Sequence, residues 1–79
     1  MSEQPRPIHE IAREIRREWK KPYFGAVPYL EAMLSLGSKD DWYGADSAVS
    51  VVTYFLSNAT TFRGEAARRL KAELKVVIK

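Results

Sequence analysis

Residues 7–19 read PIHEIAREIRREW and carry the clearest structural signal in the chain. Apolar side chains recur there every three or four residues, which is the spacing of one face of an α-helix. The apolar stripe consists of Ile8, Ile11, Ala12, Ile15 and Trp19. Pro7 fits the first turn, where a helix tolerates proline. The stretch therefore predicts an amphipathic helix from about Pro7 to Trp19, with this stripe turned toward a core.

The charges of this first predicted helix are sorted by sign. At about 100° per residue, the cations fall on one flank of the helix and the glutamates on the other. The cations are Arg13, Arg16, Arg17 and Lys20, and the glutamates are Glu10, Glu14 and Glu18. Sorted charge suits an oriented contact with another protein or a second copy, because the acidic flank would repel nucleic acid. The four cations are therefore predicted to bind a partner, and a solvated face with local ion pairs is the alternative.

Three more helices are predicted further along the chain. They span about Val27–Leu36, Asp46 (as N-cap) to Ser57 or Asn58, and Phe62–Val77 capped by Thr60 or Thr61. Residues 38–44 (SKDDWYG) form a polar turn with at most one helical turn, capped by Ser38, Asp40 or Asp41. We therefore expect an all-α fold, a compact bundle of four helices with one of them short, running up and down with tight turns.

The third predicted helix has an unusual composition, because no charge lies between Asp46 and Arg63. A helix at the surface normally carries charges on its outer face. We therefore expect this helix to be central and packed on more than one side. Its β-branched run VSVVTYF leaves a strand as a minor alternative.

Length and composition bound the class of protein. The chain has 79 residues, of which 46% are hydrophobic and 29% charged, as in one ordinary globular domain. We place that single helical domain at residues 7–79, after a flexible polar leader at residues 1–6. The absence of cysteine excludes disulfides and thiolate zinc sites. The uncharged run 47–62 is too short and too polar to cross a bilayer, and the leader does not resemble a signal peptide, so we expect a cytoplasmic protein.

The turn at residues 38–44 places two large aromatic side chains, Trp42 and Tyr43, in a charged surrounding. A core this small cannot enclose every aromatic residue of the chain, and these two are the most exposed candidates. Exposed Trp and Tyr near Arg are common anchors of protein interfaces. We predict that both bind a partner; the alternative is that they fold back over the bundle as a lid.

A basic stripe runs along the fourth predicted helix. It consists of Arg68, Lys71, Lys75 and Lys79. Such a row could follow the phosphates of a nucleic acid, and the net charge of +3 is compatible with that partner. The alternative is a solvated helix exterior with cations near the C-terminal end of the helix dipole. A helix-turn-helix is disfavoured, because the recognition helix would open with Phe62 instead of base-contacting residues.

No catalytic motif is present, neither G-x-S-x-G nor H-E-x-x-H nor a phosphate loop. His9 has no sequence partner for nucleophilic catalysis. Asp40, Asp41 and Asp46 lack the spacing of a calcium loop and are explained by capping and turn formation. We therefore expect a non-enzymatic protein with no catalytic residue, no metal site and no cofactor.

Three strings, HEIAREIRREWK, PYLEAML and YFLSNATTFRGEAARRLKAELK, together cover most of the chain. They resemble a group of small proteins encoded by bacteriophages and prophages, for which no activity is established. The most distinctive part is FLSNATTFRGE at residues 55–65. The resemblance implies a phage accessory protein inside the bacterial cell and favours a protein binder or an inhibitor of host machinery. It supplies no catalytic residues.

The sequence thus predicts a small phage-type accessory protein that acts by protein–protein interaction. Its partner is expected to be another protein, of the host or the phage, or a second copy of itself. The role would be inhibition of a host bacterial system or a self-associating scaffold. The alternative is a nucleic-acid-binding protein that uses the basic helix faces.

Overall fold

A computed structural model describes residues 5–79 of the chain, so residues 1–4 of the expected leader lie outside the described residues. The described residues form four helices and one short two-stranded hairpin. They are α1 (Ile8–Glu18), α2 (Val27–Met33), β1 (Trp42–Tyr43), β2 (Asp46–Ser47), α3 (Ala48–Ser57) and α4 (Glu65–Val77). The four predicted helices are confirmed. The expectation of a purely helical bundle is wrong, because the segment between α2 and α3 forms an antiparallel hairpin.

The hairpin replaces the predicted polar turn. The Asp41 carboxylate accepts hydrogen bonds from the backbone N–H groups of Gly37 (2.7 Å) and Ser38 (3.1 Å), which fixes the approach to β1. Gly44 has a φ of 61° at the first position of the two-residue loop between the strands. A positive φ at that position is characteristic of a tight hairpin turn, and glycine adopts it without strain.

One hydrophobic core is shared by all four helices. The stripe predicted for α1 is confirmed, since all five of its members are buried. They meet Leu30 and Met33 of α2, and apolar residues of α3 and α4 such as Val52 and Leu70. An aromatic cluster closes one end of this core: Trp19 stacks on Phe62 with ring centroids 5.0 Å apart and meets Phe55 edge-on at 6.1 Å.

α1 and α4 pack side by side in opposite directions. Trp19 at the end of α1 contacts Phe62 just before α4, and Glu14 in the middle of α1 binds Arg69 in the first half of α4. The start of α1 is tied to the segment after α2, because Ile8 N–H donates to the carbonyl of Gly37 at 2.8 Å. α2 packs against α3 and α1, and the hairpin packs against α3.

Two predicted helix caps are wrong. The N-cap of α3 is Ser47 and not Asp46, since Ser47 Oγ accepts the N–H of Ser50 at 3.1 Å. α4 begins at Glu65 after Gly64, whose φ of 110° requires glycine, and neither Thr60 nor Thr61 caps it. The residues between α3 and α4 therefore form a longer connection than the sequence pattern indicates.

Candidate functional site

α3 packs against the rest of the protein through one face only. Its buried residues are Ala48, Val51, Val52 and Phe55, whereas Val49, Thr53, Tyr54 and Ser57 are exposed. The expectation of a central helix packed on more than one side is therefore wrong. The outer side of α3 has no charged residue although water reaches it. Burial therefore does not explain why this side lacks charge.

Aromatic side chains border the C-terminal end of this exposed surface. Tyr54 is 54% exposed and stacks on Tyr29 of α2, with ring centroids 5.7 Å apart. A methyl group at Gly25 would lie 2.6 Å from the Tyr23 ring and 3.0 Å from Asn58 Oδ1, so these two side chains are neighbours. The ring of Tyr23 therefore lies beside the last turn of α3.

Phe24 extends this border. Its ring centroid is 4.9 Å from that of Tyr23, and its side chain is 79% exposed. A phenylalanine exposed to this degree gains little from folding, because most of its apolar area stays in water. Its position beside Tyr23 adds a second aromatic ring to the same end of α3.

The hairpin borders the other end of α3. Trp42 is 66% and Tyr43 49% exposed, so the predicted exposure of both is confirmed and the alternative of a closed lid is wrong. The hairpin is joined to α3 by a 2.9 Å hydrogen bond from Ala48 N–H to the carbonyl of Asp41. The ten residues of α3 span about 15 Å, so the aromatic residues at its two ends are separated by about that length.

We call this surface the α3 face. It consists of Tyr23, Phe24, Trp42, Tyr43, Val49, Thr53, Tyr54 and Ser57. Among residues 5–79, six of the seven large apolar side chains that are exposed belong to it, and Val76 on α4 is the seventh. Most of the large apolar side chains left in water therefore lie on α3 or in the segments next to its two ends.

The hydroxyl groups of Thr53 and Ser57 on the α3 face already have partners within the helix. Thr53 Oγ1 donates to the carbonyl of Val49 at 2.7 Å, and Ser57 Oγ donates to the carbonyl of Thr53 at 3.2 Å. Covering a polar group is costly chiefly when it loses hydrogen bonds to water without replacement. Because these two hydroxyl protons are used internally, a partner can cover Thr53 and Ser57 at little polar cost. The exposed hydroxyls of Tyr23, Tyr43 and Tyr54 need hydrogen-bond partners of their own when the face is covered.

The opposite layer, made of α1 and α4, carries an ion-pair cluster of Arg6, Glu14, Arg69 and Glu73. Arg6 binds Glu14 at 2.9 Å and both carboxylate oxygens of Glu73 at 2.9 Å. Arg69 binds Glu14 and, at 3.2 Å, Glu73. The hydrogen bond from Arg69, with help from Arg6, lowers the pKa of the Glu14 carboxyl.

The predicted partner-binding cations of α1 do not join the aromatic hairpin. Arg13, Arg16, Arg17 and Lys20 are all exposed on a helix that packs against α4 and α2, whereas the hairpin packs against α3. Glu14 marks the side of α1 that faces α4, and Arg16 lies about 200° around the helix from it. The structure therefore divides the predicted partner surface into two separate regions.

The predicted basic stripe of α4 also divides. Arg68 and Lys71 line a cavity of about 290 Å³ at the start of the helix. Lys79 lies at the other end, where its carbonyl accepts a hydrogen bond from Lys39 Nζ at 2.8 Å. Lys75 is exposed between them. The row therefore separates into two residues that line the cavity and two that lie beyond it.

Arg63 also lines this cavity. The sequence pattern does not include Arg63 in the basic stripe of α4. Its Nε donates to the carbonyl of Thr60 at 3.3 Å, within the connection before α4, and not to the last carbonyls of α3. Burial, followed by repulsion from Lys75 and Arg63, lowers the pKa of the Lys71 ammonium group. The ammonium lies 5.8 Å from the centroid of the Phe62 ring.

No group of three histidine, aspartate or glutamate side chains in residues 5–79 is close enough to hold a metal ion. The Nδ1 atom of His9 is buried and makes no hydrogen bond to the described residues. Within the same residues, no helix has the length and apolar character needed to span a membrane.

In comparisons with known proteins, the chain matches no protein-family model, no curated protein and no solved structure. The α3 face and the basic cavity are therefore interpreted from their own chemistry.

Proposed function

We propose that this protein is a non-enzymatic binding protein whose α3 face docks on another protein. The observation that carries the proposal is the concentration of exposed aromatic side chains around a helix surface without charge. The centres of protein interfaces are enriched in Trp, Tyr and Phe and depleted in charge. Trp42, Tyr43 and Tyr54 are the anchors, because such residues dominate binding energies.

Charge at the margin of the α3 face specifies the partner further. Asp40 lies just before the hairpin and Asp46 is in β2, and both are exposed. Lys20 and Lys21, just before Tyr23, are exposed at the other end of the face. A partner with an apolar centre and a rim of both signs, basic opposite the hairpin and acidic opposite Tyr23, complements this arrangement. Specific interfaces bury about 800 Å² on each partner, which requires more of the surface than the hairpin alone.

The resemblance to small phage-encoded proteins supports a bacterial protein as the partner. In that setting the protein acts in the cytoplasm, as an inhibitor that occludes a functional surface or as a scaffold. Neither role needs a cofactor or a small-molecule substrate.

Affinity capture from nuclease-treated bacterial lysate tests the proposal with two matched variants. Trp42→Ala/Tyr43→Ala removes two anchors of the α3 face, whereas Val76→Ala trims an exposed apolar side chain on α4. We expect the wild type and Val76→Ala to retain one specific protein and the double variant to lose at least 90% of it. Equal capture by all three proteins, with equal helicity by circular dichroism, would remove the α3 face from the interface.

Sedimentation of the purified protein separates a foreign partner from a second copy. We expect a monomer at micromolar concentration. A dimer that the Trp42→Ala/Tyr43→Ala change dissociates would show that the face binds itself and would contradict a foreign partner.

Nucleic-acid binding is the second candidate function. It is supported by Arg68, Lys71 and Lys75, which form no ion pair with the described residues. Affinity for a single-stranded oligonucleotide would then fall with salt, with a slope of about −0.7 per phosphate contacted. A slope near zero, or one unchanged in Lys75→Gln, would exclude this function.

A further inference from the structure

The cavity at the start of α4 is lined by six residues, and three of them are cations. They are Phe62, Arg63, Gly64, Ala67, Arg68 and Lys71, around a volume of about 290 Å³. Glu65 is adjacent in sequence but does not line the cavity. The lining of the cavity therefore has three cationic residues and no carboxylate.

These cations differ from the arginines of the ion-pair cluster. Arg6 and Arg69 each bind carboxylates, whereas Arg63, Arg68 and Lys71 have no carboxylate of residues 5–79 within 4.0 Å. Arg63 uses only its Nε for the Thr60 carbonyl, so its terminal nitrogens make no hydrogen bond to the described residues. A guanidinium group that keeps two parallel donors suits the oxygen atoms of an oxyanion.

Packing holds Lys71 in place. Its ammonium group lies over the Phe62 ring, and that ring stacks on Trp19 in the aromatic cluster of the core. Phe62 itself is buried, so the wall beneath Lys71 is fixed by the fold. One cation of the cavity is thus preorganised, which lowers the ordering cost of binding.

The backbone adds to the same cavity. Gly64 precedes the first turn of α4, and no side chain caps the free N–H groups of that turn. A side chain at Gly64 would also be strained, because its φ is 110°. The cavity begins at this uncapped first turn and extends along the flank of α4 from Gly64 to Lys71.

We propose that this basic cavity binds a single phosphoryl group, either inorganic phosphate or a small phosphate monoester. A phosphoryl group carries a charge near −2 and several acceptor oxygens, which match three cationic side chains. A volume of about 290 Å³ has room for a phosphoryl group or a small phosphate monoester. The basic cavity is separate from the α3 face and binds its ligand whether or not that face binds a protein.

The local arrangement favours one phosphoryl group over a long polyanion. Beyond Lys75 the stripe ends at Lys79, which lies about 12 Å along the helix from Lys71. On the other flank of α4, Arg69 is engaged by the carboxylates of Glu14 and Glu73. Besides Lys75, whose charge also acts on Lys71, the cations grouped at the start of α4 are therefore those of the cavity.

NMR titration with inorganic phosphate at constant ionic strength tests the proposal. We expect saturable shifts of the Gly64 and Glu65 amides, and a rise in the pKa of Lys71, because a bound anion favours the charged ammonium. Lys71→Gln and Arg68→Gln should each weaken binding at least tenfold, and Arg16→Gln, which removes one charge from α1, should leave it unchanged. Shifts equal to those with chloride, or equal affinity in all three variants, would overturn the proposal.

Two further probes separate the sources of the phosphoryl group. Saturable binding of phenyl phosphate with the same variant pattern supports a small monoester. Binding of a single-stranded oligonucleotide or of vesicles with anionic phospholipid, without saturation by free phosphate, would overturn the single-phosphoryl site. Trp42→Ala/Tyr43→Ala should bind phosphate normally, which distinguishes failure of this site from failure of the α3 face.

Discussion

The exposed surface of the α1–α4 pair and the exposed surface of α3 differ in their content of charged and apolar side chains. α1 and α4 carry dense charge, and where the two helices meet, Arg6 and Arg69 pair with Glu14 and Glu73. α3 carries no charge and leaves Val49 and Tyr54 in water, with exposed aromatic side chains at both ends. The first surface is explained by folding and solubility. The second is not, and this is why we assign binding to it.

The contrast also shows that a run without charge has two possible causes. Burial removes charges because an isolated ion is costly in a core. An interface disfavours charged residues for the same reason, because the bound partner excludes water from them. In α3, burial accounts for Val52 and Phe55, which face the core, and the proposed interface would account for Val49 and Tyr54, which face outward.

The largest expected effect comes from the core that both regions share. Phe55 is fully buried and contacts Trp19 of α1, so Phe55→Ala leaves a cavity between the two regions. We expect a loss of about 3–5 kcal/mol in the free energy of unfolding, measured by urea denaturation. Val49→Ala, on the exposed face of the same helix, is the control and should change it by less than about 0.5 kcal/mol. Equal effects of the two would mean that α3 does not pack as described.

The next effect separates binding from stability. Trp42→Ala/Tyr43→Ala should weaken binding of the captured protein by at least about 30-fold, or 2 kcal/mol, as expected for interface anchors. The midpoint of urea denaturation should hardly move, since both side chains are largely exposed. Isothermal titration against the purified partner measures the first effect, and a parallel loss of stability would place these residues in the fold instead.

A smaller effect concerns the junction between the hairpin and α3. Ser47 Oγ accepts the N–H of Ser50 and caps α3, so Ser47→Ala should lower the free energy of unfolding by about 1 kcal/mol. Asp46→Ala is the informative control, because the sequence pattern alone assigns the cap to Asp46. A larger loss for Asp46→Ala in thermal denaturation would contradict the observed cap.

The smallest effect comes from the ion-pair cluster. Since Arg69 and Arg6 lower the pKa of Glu14 in the folded state, its stabilisation is present above the unfolded pKa near 4.3 and is lost as pH falls through the folded value. Glu14→Gln should therefore cost about 1 kcal/mol or less at pH 7 and nothing once Glu14 is protonated. Glu18→Gln, which forms no ion pair with residues 5–79, is the control in urea denaturation at each pH. A cost that persists in acid would assign Glu14 a role other than pairing.

The helices and the core of α1 could be predicted from sequence, because apolar periodicity over a dozen residues is a strong signal. The hairpin could not, since strands of two residues show no periodicity and only Gly44 marks the turn. The ion pair between Arg6 and Glu73 could not be predicted either, because it joins residues that are 67 positions apart in the sequence.

The candidate sites were only partly predictable. Trp42 and Tyr43 stood out because large aromatic residues in a polar turn have little core to enter. Tyr23, Phe24 and Tyr54 did not, since each lies in an apolar segment where burial is the ordinary expectation. Arg63 is not part of the basic stripe predicted on α4, and only the fold places it in one cavity with Arg68 and Lys71.

Site-specific photocrosslinking in bacterial cells tests the role of the α3 face most directly. A benzophenone amino acid would replace Tyr54 on the face in one variant and Arg17 on α1 in another, both exposed positions. We expect a discrete crosslink to one foreign protein from position 54, reduced by Trp42→Ala/Tyr43→Ala and absent from position 17. Crosslinks of equal yield from both positions, or from position 17 alone, would contradict binding through the α3 face.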